Sequence, residues 1–192
     1  MEPSSGILPI ELRLEDLARA SYKYFFIHVL GNRWSAWHEQ AWKDLQTSRR
    51  NLHEVARGHG KTVFFSIGYP IWLAYKGVKG DVLLISYSED QVRQNIMNKI
   101  HETVMNNDKL AHLRPTPDRI WGSQLKQFPS GLMIRGESFG SAVRGVHPIY
   151  LNVDDPLKDK GGMGPEEQYN FYQTAIMGTV TRDTLVEVDG TP

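Results

Sequence analysis

A glycine-rich segment, VARGHGKT at residues 55–62, constrains the fold of this chain more than any other part of the sequence. The residues before it, NLHE, have the short pattern of a strand. The residues from the end of this segment onward, KTVFFSIGYPIWLAYK, predict an apolar helix that Pro70 is expected to kink or interrupt. Glycines between a strand and a helix allow backbone N–H groups to gather at the positive end of the helix. The sequence therefore predicts a phosphate-binding loop.

The loop contains only half of the common phosphate-loop pattern G-x-x-x-x-G-K-[ST]. Gly60, Lys61 and Thr62 match its second half, whereas Val55 stands in the position of its first glycine and is expected to complete the strand. In such a loop Lys61 bridges the β- and γ-phosphates of a nucleotide, and Thr62 ligates Mg²⁺. The backbone N–H groups expected around the phosphates belong to Gly58, His59, Gly60, Lys61 and Thr62.

Strands and helices alternate along the rest of the chain. DVLLISYS, PIYLNVDD and TLVEVDG predict strands, and LKQFPSGLMIRG predicts a hairpin. Apolar spacing predicts helices at residues 12–30 and 35–46, after Ser88, and at residues 165–178. This alternation predicts a three-layer α/β domain with a mostly parallel central sheet and right-handed crossovers. We expect residues 1–32 to form an N-terminal arm and helix, and residues 33–192 to form a single core.

The composition limits the classes of function. The chain has 22 Lys plus Arg and 22 Asp plus Glu, so its formal net charge is zero and any contact with nucleic acid needs a local basic patch. It has no cysteine, which excludes disulfides and thiolate metal sites. Its apolar runs are far shorter than the roughly 20 residues that span a bilayer. His38-Glu39 and His53-Glu54 lack the second histidine of a zinc-protease motif.

An acidic pair, Asp154-Asp155, ends the predicted strand PIYLNVDD. Ligands of such α/β sheets bind at the carboxyl ends of the strands, which is also where the phosphate loop begins. One carboxylate there can hold Mg²⁺ through a water or together with the Thr62 hydroxyl. The other can orient and deprotonate an attacking water. The pair therefore supplies the second half of an ATP-hydrolysing site.

The segments ARGHGKT, GSAVRGVHPIYLNVDDPLK and VEVDGTP occur in this order. With them, the chain resembles the ATPase domain of large terminase subunits, the DNA-packaging motors of tailed bacteriophages. The resemblance extends from about Trp34 to Pro192 and rests on three separate motifs at fitting spacing. It implies a RecA-like (ASCE) P-loop NTPase fold and an ATPase that moves double-stranded DNA into a procapsid. An arginine within the loop and a missing first glycine are both familiar in that family.

The resemblance implies roles for residues of the nucleotide site. The glycines, lysine and threonine of the loop match Walker A, and Arg57 matches its arginine, a contact or sensor of the γ-phosphate. Asp154 matches the Mg²⁺-binding aspartate of Walker B. Asp155 stands where the family often has a catalytic glutamate. Because its side chain is shorter, Glu166 or Glu167 remains an alternative base.

Three further assignments follow from the same resemblance. Gln40, in WHEQAW, corresponds to an upstream glutamine that reads adenine. Gly190, Thr191 and Pro192 belong to DGTP, which resembles the motif that couples hydrolysis to movement. Arg144 lies in a glycine-flanked loop before the acidic strand and is a candidate arginine finger toward a neighbouring subunit's nucleotide. The alternative for Arg144 is an ordinary surface arginine, and whether it acts in cis or in trans stays open.

The resemblance also implies ligands and partners. ATP and Mg²⁺ are the expected cofactors. Double-stranded DNA, the portal protein and the small terminase subunit are the expected partners. The chain is expected to act as a ring of identical subunits when assembled, with a monomer as the alternative for the isolated chain, at the procapsid in the host cytoplasm and without a membrane. The clustered carboxylates of the family's nuclease domain have no counterpart, so we expect an isolated ATPase domain without nuclease activity. Two alternatives remain: a helicase-like, nucleic-acid-dependent ATPase, and a non-hydrolysing nucleotide-binding assembly module.

Overall fold

The computed structural model describes residues 10–139, 141, 145–156 and 164–191. A six-stranded sheet lies at the centre of this part of the chain, with neighbouring strands in the order β1-β6-β5-β2-β4-β3. The strands are β1 (Arg50–Glu54), β2 (Gly80–Ser86), β3 (Leu125–Gln127), β4 (Leu132–Ser138), β5 (Pro148–Asp154) and β6 (Leu185–Gly190). All neighbouring pairs are parallel except β3 with β4, which form the predicted hairpin. The mostly parallel sheet predicted from the sequence is confirmed.

Helices connect these strands. They are α1 (Ile10–Ala20), α2 (Tyr22–Tyr24, continued as the π-helix Phe25–Val29), α3 (Ala36–Thr47), α4 (the π-helix Thr62–Gly68 continued by Tyr69–Tyr75), α5 (the π-helix Gln91–Met97 continued by Asn98–Asn106), the 3-10 helix Asp108–Leu113, and α6 (Pro165–Phe171, continued by the π-helix Tyr172–Ile176 and the 3-10 helix Met177–Thr179). Within the described ranges, no helix combines the length and the apolar character needed to cross a membrane.

Two predictions about helix continuity are corrected. The single helix expected over residues 12–30 is interrupted at Ser21, which has extended backbone (φ −130°, ψ 117°) and accepts a hydrogen bond from the Tyr24 N–H on its hydroxyl. Serine competes with the helix by capping a new one at this point. Pro70 was expected to kink or interrupt the helix after the loop, yet α4 continues through it. The preceding turn is π-helical, with the Tyr69 N–H bonded to the Phe64 carbonyl.

Helices cover both faces of the sheet. On one face, side chains at alternate positions of the strands, such as Val82 and Leu84, pack in an apolar cluster with helices α1 to α5. On the other face, Leu83 and Leu151 pack against Ile176 of α6. The three-layer arrangement predicted from the sequence is therefore confirmed.

A buried tyrosine joins the N-terminal helices to the helix that follows the loop. Tyr22 is fully buried, contacts several aromatic rings of α2, α3 and α4, and donates a 2.6 Å hydrogen bond to the Phe64 carbonyl oxygen. Burial raises the pKa of its phenol well above 10. Tyr22 is thus a neutral donor, and it holds α2 against the first turns of α4, directly below the loop.

The packing of β4 against α5 yields a stability prediction. A Cβ atom added at Gly136 would lie 2.5 Å from Val92 Cγ1 and 2.8 Å from Met97 Cγ. We expect Gly136→Ala to lower the free energy of unfolding by about 1–3 kcal/mol, because the core cannot absorb the extra methyl group without shifting. Urea denaturation measures this change.

Gly178→Ala is the matched control, since a Cβ atom at Gly178 meets no atom within 4 Å. The double variant Gly136→Ala/Val92→Ala should lose less stability than the sum of the two single variants, because Val92→Ala removes the atom that the new methyl group contacts most closely. Wild-type stability of Gly136→Ala would contradict the packing described here.

Candidate nucleotide site

The loop after β1 has the backbone that its glycines predict. Gly58 and Gly60 have φ values of 81° and 79°, in the left-handed region that L side chains rarely adopt. The Gly60 carbonyl accepts a 2.9 Å hydrogen bond from the Phe64 N–H, which starts α4. Val55 continues the β1–β6 ladder by donating its N–H to the Gly190 carbonyl at 3.0 Å. The position without a glycine therefore lies directly after β1 and extends its pairing with β6 by one hydrogen bond, in agreement with the expectation that Val55 completes the strand.

Three strand ends meet beside this loop. Strand β6 lies between β1 and β5, with Glu54 opposite Gly190 and Asp154 opposite Asp189 in the registers. Because these strands are parallel, their carboxyl ends lie at the same edge of the sheet. The phosphate loop, the acidic pair and Thr191 are thereby brought together.

Thr62 and Asp154 form a pair of hard oxygen donors. The Thr62 hydroxyl lies 3.1 and 3.2 Å from the two carboxylate oxygens of Asp154, and Asp154 is 1% exposed. The Ser86 hydroxyl donates to the Asp154 carbonyl at 3.0 Å and fixes the end of β5. Hydroxyl and carboxylate oxygens are the ligands that Mg²⁺ prefers, so this pair fits the metal expected for a nucleotide site.

The amine of Lys61 contacts the second aspartate and the last described residue. Its Nζ donates to Asp155 Oδ1 at 3.1 Å and also to the Thr191 hydroxyl, which itself donates to the same Asp155 oxygen at 3.1 Å. Lys61 is 8% exposed. Any phosphate that enters the loop competes with Asp155 and Thr191 for this ammonium group.

The backbone of Asp155 is unusual. With φ at 52°, it is the one non-glycine residue of the described ranges that has a positive φ. Its N–H donates to the Asp189 carbonyl at 2.8 Å. Aspartate tolerates the left-handed region better than most residues. This turn directs the Asp155 carboxylate toward Lys61, away from the direction in which β5 was running.

A buried carboxyl pair lies beneath the loop. Burial raises the pKa of Asp154, although a hydrogen bond from Asp189 and one from Thr62 partly oppose the increase. Burial and the negative charge of Asp154 raise the pKa of Asp189 well above its ordinary value. Asp189 Oδ2 also accepts a 2.7 Å hydrogen bond from Asn152. The pair therefore holds a proton on Asp189, which leaves Asp154 as the ionised member.

The phosphate loop lines a cavity of about 410 Å³. Its walls are formed by Ala56, Arg57, Gly58, Gly60, Lys61, Thr62, Val63, Asp155 and Thr191. Arg57 is exposed and borders this cavity, as a contact for a γ-phosphate requires. His59 is also exposed, and its Nδ1 lies 3.2 Å from the carbonyl oxygens of Ala56 and Arg57.

Other residues singled out in the sequence lie apart from this cavity or outside the described residues. Gln40 is exposed on α3 and donates its amide to Asp44 at 2.9 Å. Glu166 and Glu167 are exposed on α6 and are not part of the cavity wall. Arg144 and Pro192 fall outside the described residues. Asp155 is therefore the better supported of the candidate bases.

A larger cavity of about 530 Å³ lies on the opposite face of the sheet. Its wall includes Leu52, Val188, Phe139 and Tyr172, and it contains neither the glycine loop nor the acidic pair. Nucleotide phosphates need N–H donors and cations, whereas the cation in this mainly apolar wall, Arg50, already donates to the carbonyl oxygens of Thr181 and Thr184. The smaller cavity is the candidate nucleotide site.

Sequence reasoning missed the polar residues that support the site from below. Asn152 is fully buried, accepts a 2.5 Å hydrogen bond from the Ser66 hydroxyl and donates to Asp189. An asparagine in the middle of an otherwise apolar strand was the available signal. Its partners depend on which strand lies beside β5, and the sequence pattern does not give that order.

The strand–loop–helix unit and the Thr62–Asp154 pair at the carboxyl edge of a parallel sheet define the fold of a P-loop NTPase. Solved structures with this fold include the large terminase of bacteriophage HK97, with a TM-score of 0.62 and 19% identity over 83% of this chain. A point mutant of the ATPase domain of the Thermus phage P74-26 large terminase has a TM-score of 0.59 and 18% identity over 90% of this chain. The resemblance to large terminases that the motifs predicted is confirmed at the level of the fold.

The matched regions make up 33% of the HK97 protein and 70% of the P74-26 domain. No protein-family model matches the sequence, and no curated protein matches it either. The likeness to large terminases is therefore one of three-dimensional structure, joined to the order of the motifs.

The carboxyl pair predicts a gain in stability for Asp189→Asn. Asparagine keeps the hydrogen bond that Asp189 Oδ2 accepts from Asn152, and its amide takes the place of the Asp189 proton that faces Asp154. Because the pKa of Asp189 is raised by folding, the folded state holds a proton that the unfolded state releases, and stability falls as pH rises above about 4. Each unit of that increase corresponds to about 1.4 kcal/mol.

We therefore expect Asp189→Asn to raise the free energy of unfolding at pH 7 by at least about 1 kcal/mol and to flatten its pH dependence between pH 4 and pH 8. Urea denaturation at several pH values measures both effects. Asp183→Asn, at an exposed residue, is the control. A destabilising effect of Asp189→Asn at pH 7 would show that the buried aspartate is charged.

Proposed function

We propose that this chain is the ATP-hydrolysing motor domain of a viral large terminase, which couples ATP hydrolysis to the movement of double-stranded DNA into a procapsid. The observation that carries the proposal is the contact of the Thr62 hydroxyl with Asp154, at 3.1 Å, beside Lys61 and Asp155. A nucleoside triphosphate is the ligand whose recognition needs a glycine loop, a lysine, a metal-binding pair and a second carboxylate at one sheet edge.

Thr62 and Asp154 would hold Mg²⁺, which neutralises charge that develops on the β- and γ-phosphates. Metal binding requires Asp154 in its ionised form. Burial opposes that form, and the proton held by Asp189 offsets the penalty by donating a hydrogen bond to the Asp154 carboxylate. The residues beneath the loop thus prepare Asp154 to act as a ligand.

Lys61 changes partners when a triphosphate binds. Its ammonium leaves Asp155 and Thr191 and contacts the phosphates. The Asp155 carboxylate, no longer paired with Lys61, then accepts a proton from the attacking water. Thr191 loses the same partner, so a change at the γ-phosphate reaches the end of β6. This is the contact through which the coupling segment at Gly190, Thr191 and Pro192 would respond to hydrolysis.

The remaining parts of the proposal are supported by the order of the motifs and by the fold. They include adenine recognition by Gln40, a γ-phosphate contact by Arg57 and an arginine finger at Arg144 acting on a neighbouring subunit. They also include assembly as a ring, contact with double-stranded DNA, a portal protein and a small terminase subunit, and action at the procapsid in the host cytoplasm.

Lys61→Ala tests the proposed activity. We expect it to lower ATP turnover by at least about 10²-fold, because it removes a cation aimed at the transferring phosphoryl group. Phosphate release in the presence of Mg²⁺ measures turnover, and circular dichroism shows that the fold is kept. Lys79→Ala, at an exposed lysine after α4, is the matched control. Wild-type hydrolysis by Lys61→Ala would overturn the proposal.

Tight binding of ATP by the wild-type chain without phosphate release, even with DNA and portal present, would instead favour the non-hydrolysing assembly module. Stimulation by single-stranded DNA, with no response to duplex DNA, would favour the helicase-like ATPase.

Asp155→Asn separates the role of the base from that of a ligand. We expect turnover to fall by about 10²–10⁴-fold, the usual contribution of a general base. Binding of a non-hydrolysable ATP analogue should become tighter, because Lys61 no longer has to leave a carboxylate. Isothermal titration calorimetry measures the affinity. If Glu166→Gln or Glu167→Gln abolishes turnover while Asp155→Asn retains it, the base lies on α6.

A further inference from the structure

The imidazole of His53 connects two carboxyl groups that come from different elements. Its Nε2 lies 3.0 Å from Asp44 Oδ2 of α3, and its Nδ1 lies 2.6 Å from Glu187 Oε1 of β6. His53 itself is on β1, and Glu187 is 134 residues further along the chain. A single side chain thus bridges a surface helix and two neighbouring strands of the sheet.

In both contacts the ring nitrogen of His53 has to carry the hydrogen, because an ionised carboxylate can only accept a hydrogen bond. An imidazolium supplies both. Glu187 is fully buried, and its other oxygen, Oε2, has no hydrogen-bond partner among the described residues. His53 is therefore the main compensation that the described structure gives to this buried carboxyl group.

Two carboxylates that face His53 favour its protonated form, Asp44 from α3 and Glu187 from β6. The other described groups that face it are neutral: the protonated register partner Asp189 from β6, and the ring of Phe65 from α4, which stacks on the imidazole at 5.2 Å. Burial opposes the charge of His53, but the hydrogen bonds and charges of Glu187 and Asp44 outweigh it. The pKa of His53 is therefore raised above its ordinary value of 6.5.

The hydrogen bonds continue on both sides of His53. On the helix, Asp44 uses its second oxygen, Oδ1, to accept the 2.9 Å hydrogen bond from the amide of Gln40. On the sheet, β6 runs from Glu187 to Gly190 and then to Thr191, which contacts Lys61. A chain of contacts therefore extends from Gln40 on the surface to the strand that ends in the phosphate site.

We propose that His53 is a positioning residue, which ties Asp44 of α3 to Glu187 of β6 and thereby fixes the side chain of Gln40 for recognition of the nucleotide base. The inference rests on the proposed function, since it requires a nucleotide in the loop. Strand β6 is held by a strand on each side, whereas α3 is docked by side chains. Loss of the bridge therefore frees the Asp44 carboxylate and the Gln40 amide that donates to it, while the buried side chains of α3 keep the helix packed on the core.

Two substitutions cut the bridge on opposite sides. His53→Asn presents an amide near the position of Nδ1, so it keeps the contact with Glu187 and releases Asp44. His53→Gln presents an amide near the position of Nε2, so it keeps Asp44 and releases Glu187. The first should alter recognition of the base, whereas the second should mainly lower stability. Asn51→Ala, on the same strand, is the control.

The measurement is the dissociation constant for non-hydrolysable ATP and GTP analogues with Mg²⁺, by calorimetry on the folded chain. We expect His53→Asn to reduce the preference for the ATP analogue by about tenfold, the effect of losing one hydrogen bond to a charged group. Asn51→Ala should leave the preference unchanged. If His53→Asn does not fold, Asp44→Ala carries the test with the same expected loss.

The wild-type preference should also decline as pH rises through the raised pKa of His53, and this decline should be absent in His53→Gln. Protonation of the phosphates does not affect this measurement, because both analogues carry the same phosphate groups and its effect cancels in the ratio of their dissociation constants. If His53→Asn has the same ratio of dissociation constants for the two analogues as the wild-type chain, the inference is overturned and the proposed function stays intact. The same result in Asp44→Ala has the same meaning where that variant carries the test. Failure of the wild-type chain to bind either analogue would instead count against the proposed function.

Discussion

The position of β6 between β1 and β5 is the constraint on which the rest of the site depends. Without it, the strand that leads into the glycine loop and the strand that ends in Asp154 would not share an edge with Thr191 between them. The parallel pairing also aligns Glu187 and Asp189 with residues of both neighbours. Strand β6 therefore forms the floor of the site as well as one side of it.

This floor is polar, which is unusual for the middle of a three-layer domain. Glu187, Asp189, Asn152 and Asp154 are all buried on the same face of the sheet. Groups of this kind are costly to bury unless each is hydrogen-bonded or neutralised. Here the proton on Asp189 and the imidazole of His53 provide that compensation. Buried acids with raised pKa values concentrate at functional sites, and these lie directly beneath the phosphate loop.

Local patterns were enough to predict much of the fold. The glycine loop, the buried strands, the hairpin and the neighbourhood of Thr62 and Asp154 all follow from short segments whose periodicity or glycines carry the information. Adjacency of β6 to β1 depends on long-range pairing, so the bridge through His53 and the contact of Lys61 with Thr191 were out of reach. The break at Ser21 was missed because an apolar stripe continues across it.

The left-handed backbone at Asp155 has a consequence for natural variation at this position. Residues with short polar side chains adopt that conformation most readily after glycine, whereas longer or branched ones do so at a cost. Asparagine would keep the turn and lose the base, and glycine would keep the turn and lose the carboxylate. Glutamate would keep the carboxylate and strain the turn. The backbone at this position thus favours aspartate over glutamate as the residue that supplies the carboxylate.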